Sequence, residues 1–530
     1  MNASTEHWQV HKRAVSSAGG VVAAQHHLAA RAGAGMLAAG GNAVDAAVAA
    51  AFALAAVEPW MCGLGGSGFA VIWMAGARRA RVIDFQGVLP AAISPADYPL
   101  DPDVPDTIMG FPGVVDRANV IGARSVTVPG AVAGLSHALE RFGTLGLDTV
   151  LGPAIALARR GLPVDWFTTL QIALSATDLA RDATAAAIYL PGGHPPQPER
   201  FLPMGALPDT LQALAEGGPE AFYRGAIGAA LAGDLAAAGS RITEDDLAAY
   251  RAVEHDTLTG HHRGAELHTA GETSGGPRLI SFLSHVAAHL QPADAPDAET
   301  WLVYAEALDL AWREHRARIG RATETGGCTS HLSAVDAAGN MVALTYTLLN
   351  RFGSCFVSPA TGILLNNAVS YFDPRPGYPT TMAGGKRINA SNMCPTIAVR
   401  DGEARFAIGA SGANFIMPCT AQIAALMLDF GLDLERAMNH PRIDASDRGS
   451  VRADPRLGEA VLAALGARYR LEVAQRLVFP KLYACPSGVA RDPATGICAG
   501  LNDPSQPIGG AAGAGPFTLD DGPEPAEARP

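Results

Sequence analysis

One stretch constrains the fold of this chain more than any other. Gly326–Ser354 reads Gly-Gly-Cys-Thr-Ser-His-Leu-Ser-Ala-Val-Asp-Ala-Ala-Gly-Asn-Met-Val-Ala-Leu-Thr-Tyr-Thr-Leu-Leu-Asn-Arg-Phe-Gly-Ser. After Cys328-Thr329 an alternating segment runs to Asp336, Ala337–Asn340 has turn composition, and Met341–Thr347 is a second strand-like run. The pattern predicts a hairpin. With Asp336 facing Met341, Ser330 pairs with Thr347 and Thr329 lies beside it. Two threonine hydroxyls and a serine then meet at one end of a sheet, an arrangement that suits a nucleophile beginning a strand. Taken alone, a threonine at a strand start is β-propensity and nothing more.

At 530 residues the chain has length for a large core in one to three domains. With 48% hydrophobic and 17% charged residues, the composition is globular. A net charge of −12 without a basic run excludes a nucleic-acid or anionic-membrane surface as the expected partner. Seven scattered cysteines with no CxxC pair predict neither a disulfide framework nor a zinc site, and no metal-ligand spacing occurs elsewhere. Met1–Ser17 lacks the apolar core of a signal peptide, and Ala46–Val57 is too short to span a bilayer. The expectation is a cytoplasmic protein without cofactor.

In chain order, a β-like opening at Gly19–Gln25 precedes an Ala-rich helix from about His27 to Ala39. Gly40-Gly41-Asn42 stops that helix, and Asn42 can cap the next, Ala43–Ala56, which is apolar nearly all round and so predicted to be buried. The glycine run Gly63–Gly68 lies between a helix and the following strand, the reverse of a phosphate-binding loop, and reads as close backbone packing. Helical patterns dominate until about Ile319, strands dominate after Gly326, and Pro504–Pro530 has loose-tail composition. No internal repeat occurs. The order predicts layered α/β/α or α+β architecture.

Several runs, in order, resemble the γ-glutamyltranspeptidase family of N-terminal-nucleophile (Ntn) hydrolases. They are Gly40–Ala47, Val57-Glu58-Pro59, Gly63–Gly68, Val128-Pro129-Gly130, Pro153-Ala154-Ile155, Ala221–Gly225, Asp245-Asp246-Leu247, Thr329–Gly353, Gly362–Asn367, Lys386-Arg387, Met393–Thr396 and Gly409–Gly412. The resemblance implies an α+β fold, a four-layer αββα sandwich, and a proenzyme that cuts itself at Cys328–Thr329. A large chain 1–328 and a small chain 329–530 would then share one structural unit, and there is room for a dimer of heterodimers. It also implies that Thr329 is the nucleophile. A threonine hydroxyl needs a base, and cleavage frees an α-amine whose ordinary pKa of about 8 suits that task. Thr347 matches the threonine that hydrogen-bonds the nucleophile. Gly412 and Ala413 match the oxyanion-hole loop, where Ala413 replaces a glycine and can donate its N–H provided its φ is not positive. Ser391 and Asn392 match two serines that contact the substrate carboxylate.

The glutamyl head-group contacts are missing together. Gln86 follows Asp84-Phe85 where the family has its carboxylate-binding Arg, Leu349 replaces an amine-binding Asn, and Ala368 and Tyr371 replace a Gln and an Asp. Losing such groups removes several kcal/mol of affinity by order of magnitude. The expected substrate is therefore a small non-glutamyl carboxylated amide such as oxamate, as in oxamate amidohydrolase and acylase-like relatives. Arg351 offers a replacement carboxylate contact, Asn350 and Tyr371 shape the pocket, and Asn367 is read as pocket wall. His331, Asp45 and Glu58 read as structural, and Lys386-Arg387 as a charge pair or a contact between chains. An ordinary γ-glutamyltransferase or glutathione hydrolase, and an inactive scaffold, are the alternatives.

Overall fold

The opening hairpin forms and becomes the centre of a seven-stranded antiparallel sheet. In a computed structural model describing residues 10–319, 328–446 and 449–519, its order is Gly510–Gly513, Gly20–Ala24, Cys328–Asp336, Met341–Leu349, Ser67–Met74, Arg79–Phe85 and Val253–Asp256. A second antiparallel sheet runs Val15–Ser17, Cys498–Asn502, Cys485–Arg491, Glu403–Ser411, Thr396–Arg400, Ala265–Thr269 and Leu258–His262. Gly326 and Gly327 lie outside the described residues.

The sheets stack face to face. Val21, Val71, Trp73, Val335, Met341, Ile397, Ala407 and Val489 fill the layer between them. Helices His27–Ala38, Ala43–Val57 and Ala131–Phe142 cover the outer face of the first sheet, and Gly276–His289, Ala298–Ile319 and Ile416–Asp429 that of the second. The result is the expected αββα sandwich. It explains why Met341–Leu349 is buried at every position: one face meets helices and the other meets a sheet.

Helix Ala43–Val57 is buried along its whole length, as its all-round apolar pattern predicts. Asn42 and Asp45 form a reciprocal capping box, and Asp45 also accepts from Thr144 and Leu145 N–H, so the buried carboxylate is satisfied within the helix start. The glycine run packs backbone on backbone. A Cβ at Gly66 would stand 2.7 Å from Thr347 O, and one at Gly68 would stand 2.2 Å from Thr345 O.

Two expectations are corrected. The hairpin closes one residue tighter than predicted, with Val335 opposite Met341 and Ser330 opposite Tyr346 rather than Thr347. The cause is Asp336, whose carboxylate accepts from Asn340 N–H (3.0 Å), Asn340 Nδ2 (2.7 Å) and Ala43 N–H (3.0 Å), drawing Asn340 into the loop mouth. Pro504–Pro530 is not uniformly loose: Gly510–Gly513 adds an edge strand beside Gly20–Ala24, while 520–530 lie outside the described residues. Both sheets take strands from either side of Cys328–Thr329.

Candidate functional site

At the start of its strand Cys328 pairs with Leu349, yet Ser330 pairs with Tyr346. One residue, Thr329, therefore faces two, Thr347 and Leu348. The bulge restores at Cys328 the register lost at the turn, and it re-aims the side chains beside it. Thr329 Oγ1 lies 2.8 Å and Thr347 Oγ1 2.5 Å from the same atom, the carbonyl oxygen of Cys328. Leu349 N–H donates to Thr347 Oγ1 at 2.8 Å, which leaves the Thr347 proton for the Cys328 carbonyl. Leu349 holds this geometry at φ +83°, a conformation an L-residue adopts only when its surroundings impose it.

The floor of the site is polar and dry. Ser330 Oγ donates to Glu58 Oε2 at 2.8 Å, and Glu58 has no exposed surface. Burial pushes the Glu58 carboxyl up to about 8, with Ser330 and Lys481 opposing. The Cys328 thiol is pushed up by burial as well, against the pull of Arg351, so it is a poor thiolate. His331 is structural as expected. Its ring bonds Thr345 Oγ1 (2.7 Å) and Ser333 Oγ (3.0 Å) between the sheets, and burial lowers it to about 3.

Gly412 and Ala413 follow the strand Glu403–Ser411 and precede helix Ile416–Asp429. Neither N–H meets a hydrogen-bond acceptor among the described residues. The condition on Ala413 fails: its φ is +50°, beside +129° at Gly412. Ala413 thus occupies a left-handed position suited to the family's glycine, at about 1–2 kcal/mol.

A cavity of about 480 Å³ opens at Cys328. Arg351, Asn350, Ser411 and Gly412 line it, together with an apolar wall that includes Trp60, Phe167, Phe415, Phe479 and Tyr483. Arg351 Nε donates to Gln171 Oε1 at 2.7 Å, which fixes the guanidinium. A second cation on the wall is Lys481, 5.9 Å over the Phe167 ring. Residues 60, 167, 171, 479–483 and 506 escaped sequence reasoning because they come from four separate segments with no shared periodicity.

The remaining candidates are not on that wall. Leu349 and Tyr371 belong to one apolar cluster with Leu89, Phe111, Val369 and Phe372, so both pack rather than frame the cavity. Asn367 braces the adjacent loop, accepting from Asn350 N–H (3.0 Å) and donating to Val120 O (3.0 Å). Ser391 and Asn392 are gripped by the buried Arg278, through Ser391 O at 2.9 Å and Asn392 Oδ1 at 2.8 Å. Gln86 is fully buried with Nε2 3.7 Å from Met393 S, and Oε1 finds no hydrogen-bond partner among the described residues. Arg387 ties Gln86 O, Arg251 O and Asp84 together. Among the described residues no group of three or more His, Cys, Asp or Glu side chains could hold a metal ion. No helix among them is long and apolar enough to cross a membrane.

Known proteins are similar to this chain. The chain is 36% identical to an acylase ACY 1 proenzyme of Pseudomonas sp. (strain V22) over 495 residues, covering 86% of this chain and 88% of that one. It is 30% identical to the glutathione hydrolase proenzyme of Escherichia coli (strain K12), covering 80% of each. Its fold resembles that of cephalosporin acylase from Bacillus halodurans, with a TM-score of 0.83 at 24% identity over 97% of this chain and 99% of the other. The model of the gamma-glutamyltranspeptidase family matches residues 29–324 and 312–512. With both halves of the sandwich covered by that match, the chain belongs to the γ-glutamyltranspeptidase family of hydrolases and acyltransferases.

Proposed function

We propose that this chain cuts itself at Cys328–Thr329 and then hydrolyses a carboxylated amide through an acyl-Thr329 intermediate. The observation that carries this reading is the pair of threonine hydroxyls on the Cys328 carbonyl oxygen. The Thr329 hydroxyl donates to that oxygen at 2.8 Å and so lies beside the carbonyl whose carbon it would attack once it has turned from the oxygen. The Thr347 hydrogen bond would stabilise the negative charge that develops on that oxygen, an effect worth about 10²–10³ in rate for one such donor. Attack by Thr329 Oγ on Cys328 C breaks the peptide C–N bond and gives an ester, which water hydrolyses. The products are a large chain 1–328 ending in a carboxylate and a small chain 329–530 beginning with an amine. That amine then takes the Thr329 hydroxyl proton for attack on substrate, and Gly412 N–H receives the oxyanion, with Ala413 N–H beside it on a strained, left-handed backbone.

For the substrate, Arg351 and Lys481 supply a carboxylate site, and the aromatic wall supplies room beyond it. A molecule as small as oxamate leaves most of the cavity unfilled, so a longer carboxylated acyl amide fits better. The acylase proenzyme among the relatives supports that choice. The γ-glutamyl alternative meets Gln86 and Leu349 where charged or amide groups should be. All seven cysteines are free thiols, in keeping with a reducing compartment such as the cytoplasm.

Product release from a panel of anilides tests the substrate. Glutaryl and adipyl anilides should turn over at least about 100-fold faster, as kcat/KM, than the γ-glutamyl anilide. Preferential glutamyl turnover would contradict the reading.

A further inference from the structure

Helix Ala43–Val57 ends at Glu58, whose N–H closes the last turn on Leu54 O at 2.7 Å. Ending a helix does not require the carboxyl, and a negative charge at a helix C-terminus is unfavourable. Yet the side chain turns inward with no exposed surface. Two groups hold it there: Ser330 Oγ at 2.8 Å from Oε2, and Gln506 Nε2 at 3.3 Å from Oε1. Ser330 follows Thr329 directly, and Gln506 lines the cavity at Cys328. The segment after Glu58 clamps the opposite strand end, since Leu348 N–H donates to Met61 O and Phe352 N–H to Trp60 O, both at 3.0 Å. One buried carboxyl thus ties the strand start, the cavity wall and the helix end together.

We propose that Glu58 is a positioning residue for self-cleavage, holding Ser330 and with it the strand start that presents Thr329 to the Cys328 carbonyl. The proposal rests on the Thr329 reading above. Glu58 acts through Ser330 and does not touch the reacting atoms. The titratable groups facing it are the thiols of Cys62 and Cys328 and the phenol of Tyr346, all pushed up by burial, and the cation Lys481. With its carboxyl held up to about 8, Glu58 stays neutral at pH 7 and ionises just above. Once ionised, it opposes the negative charge developing on the Cys328 oxygen. Cleavage of the native chain should therefore lose ground above about pH 8 to a variant that cannot ionise.

The test uses the full-length chain made by cell-free translation, with cleavage timed from about pH 6.5 to about pH 9.5. Glu58→Ala and Ser330→Ala should each slow cleavage at least about 10-fold at neutral pH, and the double variant should be no slower than the worse single one. Glu58→Gln, which keeps the shape and both contacts when its oxygen accepts from Gln506 and its amide nitrogen donates to the Ser330 hydroxyl, should restore the rate to within about threefold. Its rate relative to the native chain should rise at least about threefold between pH 7 and 9. Slow-downs that multiply, failure of Glu58→Gln to restore the rate, or a ratio that stays flat with pH would overturn the proposal. If Glu58→Ala misfolds, the slow-down of Ser330→Ala and the near-native rate of Glu58→Gln decide: a Ser330→Ala chain that cleaves at the native rate overturns the proposal. A native chain that never cleaves at Cys328–Thr329 would overturn the Thr329 reading, and this proposal with it.

Discussion

Thr329→Ala should yield a single uncut chain of 54.6 kDa that is inactive toward every amide the native protein cleaves. The expected loss is at least about 1000-fold, because the variant removes the attacking oxygen and also prevents release of the base that activates it. Thr329→Ser separates these effects. It keeps an oxygen at the position 2.8 Å from Cys328 O and should still cleave, more slowly, since the threonine methyl no longer fixes the rotamer. The fold should survive in both variants. Thr329 contributes little to the core, and the strand is held by its pairs from Ser330 to Val335 with Tyr346 to Met341. A Thr329→Ala chain that is nonetheless cut would refute the self-cleavage scheme, whereas an uncut, folded chain supports it.

Arg351→Ala should raise KM for a carboxylated amide by roughly 10- to 100-fold while changing kcat less. A hydrogen bond to a charged group contributes about 1.5–3 kcal/mol, and that range converts to this factor. Arg351 lines the cavity and is held at Nε by Gln171, which leaves its two terminal nitrogens as a fork for a carboxylate. Arg351→Lys should recover only part of the loss, because a lysine offers a point charge in place of the fork. Steady-state kinetics on matched substrates check this: the effect should appear with an acyl carboxylate and vanish with its methyl ester. Equal losses for acid and ester would mean that Arg351 supports the loop 350–355 and does not anchor substrate.

Much of the frame was legible in sequence, for identifiable reasons. The all-apolar helix Ala43–Val57, its Asn42 cap, the hairpin and the buried His331 each follow from local composition that tertiary packing reinforces. The hairpin register was not legible to the residue. It depends on three hydrogen bonds to Asp336, one of them from Ala43, almost three hundred residues away in sequence. Thr347 does not hydrogen-bond Thr329 as expected; its hydroxyl donates to the Cys328 carbonyl oxygen, where the bulge at Thr329 undoes the slip at the turn. Glu58 was read as a helix end, which it is. Its contact with Ser330 is a long-range fact that no local pattern carries. The cavity was least legible, since Trp60, Phe167, Phe479 and Gln506 converge only in the folded sandwich. Ala413 marks a different limit. A backbone donor can be inferred from sequence, but its φ of +50° cannot.

The N-terminal residue of the small chain tests the central claim most directly. The native protein, purified and analysed by intact mass and N-terminal sequencing, should give two chains. The smaller should begin Thr-Ser-His-Leu, starting at Thr329, and the larger should end in the free carboxylate of Cys328. A stable uncut chain, or a small chain beginning at any other residue, would contradict the account of Thr329 as a nucleophile that frees its own base.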